Sequence, residues 1–429
     1  MSALQKSILK SKLPPRCPRT SGVSKLAPFG AGRRKDYTPV SWNQYFSKYE
    51  DVETEGGTFR VYLSPEPDHP DRPRIVTLHG GGYSGLSWAA FTEEITNMIH
   101  CQVISMDVRG HGETKAKNPD DLSIDVMTND VEQVLHKLFG GLVPPLVLVG
   151  HSMGGAVAVR AAHLPSLAGC VQGIAVIDVV EGTAMDALAS MQSFLRGRPT
   201  HFKSIEHAIE WCVRSGQVRN VDSAKVSMPS QIVNCETGLL ATNEVETYCR
   251  SLETAPAPSR HAPRADCIVE EADGDADTDT DLADTDLADT DHADTDTADA
   301  DTADTEHFVR PSAVGDASET MKYKWRIDLS KTELHWSGWF VGLSAAFLSV
   351  PAPRLLLLAS IDGLDKELTV GQMQGKFQMR VLTRCGHAVH EDTPGEVARV
   401  IAAFMLRHRL TAATENGAHM DLVTGPPGC

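Results

Sequence analysis

The residues best placed to do chemistry are Gly150-His151-Ser152-Met153-Gly154-Gly155. They follow the apolar run Leu146–Val149 and lead into a helical pattern with Ala156, Val157, Ala158 and Ala161. A Gly-x-Ser-x-Gly between a strand and a helix is a nucleophile elbow, with the serine lifted on a sharp turn. Gly150, Gly154 and Gly155 supply room where strand and helix nearly touch. The helix start directs free N–H groups and its positive dipole end at a developing oxyanion, and Met153 is the first such donor. A plain structural turn is the alternative; the strand before it and the helix after it favour the catalytic reading.

A second motif, His79-Gly80-Gly81-Gly82, follows the strand-like run Arg74–Leu78. A turn of this kind contributes the other oxyanion N–H, so Gly80, Gly81 and Gly82 join Met153 as candidate donors; His79 itself reads as structural. The general base should be a late histidine. His387, in Cys385-Gly386-His387, sits between a strand at Gln378–Thr383 and a closing helix. His390 on the same loop is the runner-up, His151 reads as packing, and His111 lies in a loop that brackets such sites. The acid that steadies the imidazolium stays open on pattern alone. Asp178 ends one strand, Asp362 and Asp365 follow another, and Glu181 is a weaker option. The commonest arrangement, with the acid after the later strand, favours Asp362.

These groups must be held by strands and helices. Strand-like runs at Thr58–Leu63, Arg74–Leu78, Gln102–Asp107, Leu146–Gly150 and Gly173–Asp178 alternate with helical patterns at Phe91–His100, Ser123–Phe139 and Met153–His163. Alternation of this kind predicts a mostly parallel sheet with helices on both faces. After Asp178 come helical stretches, Ala184–Leu195 and Ser204–Ser215, without an obvious strand. The chain thus reads as a flexible basic arm (1–36), a first core part (37–178), a helical cap (179–253), a disordered acidic insertion (254–320) and a second core part (321–429). The second part is expected to hold Tyr323–Asp328, a helix near Leu343–Leu348, strands at Arg354–Ile361 and Gln378–Thr383, and a helix at Pro394–Arg409.

Composition narrows the classes. The formal charge of −17 over 429 residues comes from one place: 18 acidic residues and no Lys or Arg lie between Asp266 and Glu306, and without them the charge is +1. That remainder lacks the basic face of a nucleic-acid binder. The acidic run repeats every five residues from Asp279 but lacks the glycines of calcium-binding repeats. Nine scattered cysteines, with no Cys-x-x-Cys pair, make neither a disulfide framework nor a zinc site and point to a reducing compartment. Met1–Pro15 has no apolar signal core. The most apolar window, Val341–Ser360, is broken by Pro351, Pro353 and Arg354, so no membrane span is expected. A cytoplasmic protein is expected, with Arg33-Arg34-Lys35 as a short candidate nuclear-import patch.

Several longer stretches resemble the protein phosphatase methylesterase family. They are Leu78–Gly82, Gly110-His111-Gly112-Glu113-Thr114, the elbow, Ile177–Leu188, Ser193–Pro199, Leu368–Met379, Cys385–Asp392 and the terminal Pro427-Gly428-Cys429. The resemblance covers nearly the whole chain outside the arm and the acidic run. It implies an α/β-hydrolase fold and a serine esterase that demethylates the C-terminal leucine of the protein phosphatase 2A catalytic subunit. It also implies binding to that partner's tail and active-site face and disturbance of the partner's metals. By residue it implies the triad Ser152, Asp178 and His387, which moves the acid from Asp362 to Asp178. No cofactor or metal is implied for this chain. Two other readings are a hydrolase-like scaffold that inhibits the phosphatase by binding, and a carboxylesterase for small esters.

Overall fold

The computed structural model describes residues 35–67, 69, 71–254, 321–360 and 364–419. The chain divides into two units, residues 1–253 with 320–429 and residues 254–319. The acidic insertion, residues 1–34 of the arm, Asp362 and the terminal Pro427-Gly428-Cys429 lie outside the described residues.

The core sheet comprises β1 (Lys48–Thr54), β2 (Gly57–Leu63), β3 (Arg74–Leu78), β4 (Gln102–Met106), β5 (Lys115–Ala116), β6 (Leu146–His151) and β7 (Val171–Ile177). Two later strands, β11 (Arg354–Leu358) and β12 (Gln378–Val381), complete it. The order is β1-β2-β4-β3-β6-β7-β11-β12, with β5 on β2; β1–β2, β2–β4 and β2–β5 are antiparallel and every other pairing is parallel. The charged β1, unexpected from sequence, is mostly exposed, so it carries no apolar run to betray it.

The central strands are apolar throughout because both faces are covered. Val76, Leu78, Leu148, Val176 and Leu356 face the helices Ile124–Leu138 and Met153–Ala161. Their neighbours Ile75, Val147, Val149, Ala175 and Leu357 face the helices Ala89–Met98 and Pro394–Arg407. The period-two alternation thus feeds two separate cores.

Between β7 and β11 the chain builds the cap. The helices Glu181–Arg196, Ile205–Ser215, Val221–Ser227 and Ala241–Thr254 surround a small antiparallel sheet of β8 (His201–Phe202), β10 (Tyr323–Trp325) and β9 (Ile232–Asn234), in that order. Ser204 starts the second helix by accepting the His207 N–H, and Gly216, in the left-handed region, ends it. Two- and three-residue strands carry no readable alternation, which is why only helices were expected here. The stretch from 321 returns first to the cap through β10; the helices Glu333–Phe340 and Leu343–Ser349 then pack against the core helix Met153–Ala161, and the core sheet resumes at Arg354.

Candidate active site

Ser152 stands between β6 and the helix Met153–Ala161 with φ 52° and ψ −121°. A non-glycine residue pays on the order of 1–3 kcal/mol for such a conformation, and the neighbours hold it. The Ser152 N–H donates to the Ile177 carbonyl at 3.0 Å, and its own carbonyl accepts the Gly155 N–H at 2.9 Å. The helix presses against the end of β3 so closely that a Cβ on Gly154 would lie 2.3 Å from the Leu78 carbonyl oxygen.

His387 Nδ1 lies 2.8 Å from Asp178 Oδ2. A carboxylate there accepts a hydrogen bond from Nδ1–H, which keeps the proton on Nδ1 and leaves Nε2 as the acceptor. Asp178 follows β7 with φ 50°, and its second oxygen accepts the Ala359 N–H at 2.9 Å, fixing the carboxylate between two strand ends. Ser152, Asp178 and His387 line one cavity of about 240 Å³. Among the described residues no hydrogen bond joins Ser152 to His387.

Two of the other candidate carboxylates, Asp365 and Glu181, are engaged elsewhere. Asp365 caps the helix Lys366–Met373 through the Leu368 N–H and accepts the Ser344 hydroxyl. Glu181 accepts the N–H groups of Gly342 and Ser344.

Four other histidines are buried beneath the site, and burial lowers the pKa of each, to about 4 for His111 and about 3 for His390. All are neutral at pH 7. His79 Nδ1 lies 2.8 Å from the Gly80 carbonyl, and its Nε2 accepts the Val108 N–H at 3.0 Å. His151 Nε2 lies 2.8 Å from the His387 carbonyl, so it supports the loop of the candidate base. His390 packs on Trp88 with ring centroids 4.1 Å apart.

The glycine turn sorts itself. Gly82 gives its N–H to His111 Nε2 at 2.9 Å, while His111 Nδ1 lies 2.9 Å from the Arg109 carbonyl. Gly82 is thus a committed donor rather than a free one, a point the motif could not reveal. A Cβ on Gly80 would come within 2.9 Å of the His151 ring. Gly81 lines the cavity beside Ser152, and Met153, opening its helix, has an N–H with no intrahelical acceptor.

Two further residues escaped the sequence reading. Asp392 accepts the Gly386 N–H through one oxygen and the Arg219 N–H through the other, tying the His387 loop to the cap. Arg198 enters the cavity from the cap and stacks over Trp325. Neither has a local signature, since each acts on groups distant in sequence. Among the described residues no group of three or more His, Cys, Asp or Glu could hold a metal ion, and no helix is long and apolar enough to cross a membrane.

A family profile described as "Alpha/beta hydrolase family" matches residues 75–233 and 238–400. The chain is 48% identical over 420 residues to "Protein phosphatase methylesterase 1" of Homo sapiens, covering 95% of this chain and 96% of that one. It is 36% identical over 397 residues to "Probable protein phosphatase methylesterase 1" of Caenorhabditis elegans, covering 92% and 83% respectively. Among solved structures, E-2-(acetamidomethylene)succinate hydrolase superposes with a TM-score of 0.52 over 83% of this chain and 98% of that one; at 15% identity the likeness speaks of fold alone.

Proposed function

The chain belongs to the protein phosphatase methylesterase 1 family within the alpha/beta hydrolases, and on that premise we propose that it is a serine carboxylesterase removing the methyl ester from the C-terminal leucine of the protein phosphatase 2A catalytic subunit. Ser152 Oγ attacks the ester carbonyl as His387 Nε2 takes its proton, and Asp178 stabilises the imidazolium formed. The oxyanion is received by the N–H groups of Met153 and Gly81. The imidazolium returns the proton to the leaving methoxide, so methanol departs and a leucyl ester on Ser152 remains. Water, deprotonated by the same imidazole, then hydrolyses that ester and frees the carboxylate.

The observation that carries this reading is the 2.8 Å pairing of His387 Nδ1 with Asp178 Oδ2 on the wall of the cavity that Ser152 also lines. The cavity's apolar side, with Leu195, Trp336 and Phe340, suits a leucine side chain. The partner would enter by its C-terminal tail, meeting the face on which this cavity opens.

The test pairs two measurements. A fluorophosphonate probe should label the wild type and not Ser152→Ala, and methanol should be released from a peptide ending in leucine methyl ester by the wild type only. Equal labelling of both proteins sinks the assignment of Ser152. Hydrolysis of small esters with no turnover of the peptide or of the methylated phosphatase sinks the substrate.

A further inference from the structure

Four charged or titrating side chains line the cavity: Tyr83, whose buried phenol stays neutral, Asp178, His387 and Arg198. Asp178 and His387 are joined to each other. Arg198 is not matched by any carboxylate among the described residues, and its Nε is buried without a hydrogen-bond partner. Burial lowers its pKa to about 10, so it is a cation at neutral pH.

The guanidinium is nevertheless held in place. Its central carbon sits 3.4 Å from the centroid of the Trp325 ring, close enough for cation–π attraction. Trp325 cannot drift, because its indole N–H donates to the Pro199 carbonyl at 2.7 Å and its ring meets those of Phe202 and Trp211 edge-on. Arg198 Nη1 lies 3.9 Å from where a Cβ on Gly82 would stand, one residue from the proposed oxyanion donor Gly81. A fixed fork of donors beside the glycine turn, with no carboxylate against it among the described residues, fits a carboxylate. The ester itself is neutral and the product carboxylate forms only after hydrolysis, so a carboxylate present when the substrate binds comes from elsewhere on the substrate.

We propose that Arg198 is a specificity-determining residue that binds an acidic side chain carried by the substrate peptide within the few residues preceding the esterified leucine. This rests on the peptide-ester reading above. The guanidinium lies close to the glycine turn and an extended chain advances only about 3.3–3.6 Å per residue, so the side chain of one of the few residues before the leucine can reach back to it.

The test uses the full chain and peptides that all end in leucine methyl ester, differing only by Asp or Asn at one of the three preceding positions. The wild type is expected to favour the best Asp peptide over its Asn twin by about 10- to 100-fold in kcat/KM, expressed in KM, as for a charge-assisted hydrogen bond in a shielded site. In Arg198→Met the ratio falls to about one, with kcat/KM on the Asp peptide falling far more than kcat/KM on the Asn peptide. Arg198→Lys, which keeps the charge and loses the planar fork, recovers part of the ratio.

Equal ratios in wild type and Arg198→Met overturn the proposal. So does a wild type without Asp preference that is inhibited by the free-acid peptide more than Arg198→Met is, since that assigns the guanidinium to the product carboxylate. If Arg198→Met fails to fold, Arg198→Lys decides: a ratio equal to that of the wild type overturns the proposal, and a reduced one supports it. Failure of the underlying reading looks different: no peptide ester is then consumed, with Asp or with Asn.

Discussion

One carboxylate oxygen of Asp392 accepts the Gly386 N–H at 2.6 Å, one residue before His387. The other accepts the Arg219 N–H, also at 2.6 Å, from the cap. The side chain is almost wholly buried and burial pushes its pKa up, yet two N–H donors hold it in place. Asp392→Asn replaces one acceptor by an NH₂ group that faces an N–H. Thermal denaturation should show a loss of about 1–3 kcal/mol, the cost of one unsatisfied buried donor. Turnover should fall about tenfold as the His387 loop loosens. Unchanged turnover in a destabilised variant would make Asp392 a structural brace only.

Asp178→Asn should leave the fold intact, because the amide oxygen can still accept the Ala359 N–H that Asp178 Oδ1 receives. Its NH₂ group then faces His387 Nδ1 and selects the wrong tautomer. Methanol release should fall by about 10⁴-fold in kcat, as for the same change in other triads. A fall under tenfold would remove Asp178 from the mechanism.

Gly154→Ala puts a methyl 2.3 Å from the Leu78 carbonyl oxygen and 2.6 Å from that of His79. Neither backbone can retreat without moving the elbow or the glycine turn. The expected loss is about 1–3 kcal/mol in urea denaturation. Fluorophosphonate labelling of Ser152 should slow in the folded fraction, because the proposed oxyanion donors Met153 and Gly81 shift. A variant as stable and as reactive as the wild type contradicts the close approach.

His390 is fully buried, and burial, then the charge of His387, lower its pKa to about 3. In the unfolded chain the same ring titrates near pH 6.5. Above about pH 6.5 both states are neutral, and the residue adds no pH dependence. Between about 6.5 and 3 the unfolded state gains a proton that the folded state refuses, so stability falls by about 1.4 kcal/mol per pH unit. His390→Gln lacks this titration. Urea midpoints measured from pH 7 to 4 should fall more steeply for the wild type than for the variant; parallel slopes refute the assignment.

The elbow, the His-Gly-Gly-Gly turn and most core strands were legible from sequence because each obeys a local rule. A serine on a strand-to-helix turn needs glycines at fixed offsets, and strands covered on both faces read as unbroken apolar runs. Expected strands such as Arg74–Leu78 and Leu146–Gly150 match β3 and β6 to within a residue. The cap sheet was not legible. It joins β8 and β9 to β10 on the far side of the acidic insertion, through strands of two or three residues.

Residue order and type alone pointed to a serine on a sharp turn as candidate nucleophile, a glycine-rich loop as candidate donor and a late histidine as candidate base, since these depend on neighbours a few positions away. Tertiary structure decided which carboxylate meets that histidine, 209 positions apart in the chain. Pattern favoured Asp362 and resemblance Asp178. Asp362 lies outside the described residues; β11 lies parallel to β7 and brings the Ala359 N–H to Asp178 Oδ1, while Oδ2 lies 2.8 Å from His387 Nδ1. The same distance rule hid the commitment of Gly82 to His111 and the seat of Arg198 on Trp325. Hydrogen bonds and stacking act through space, and only the packed chain sets which groups lie within their reach.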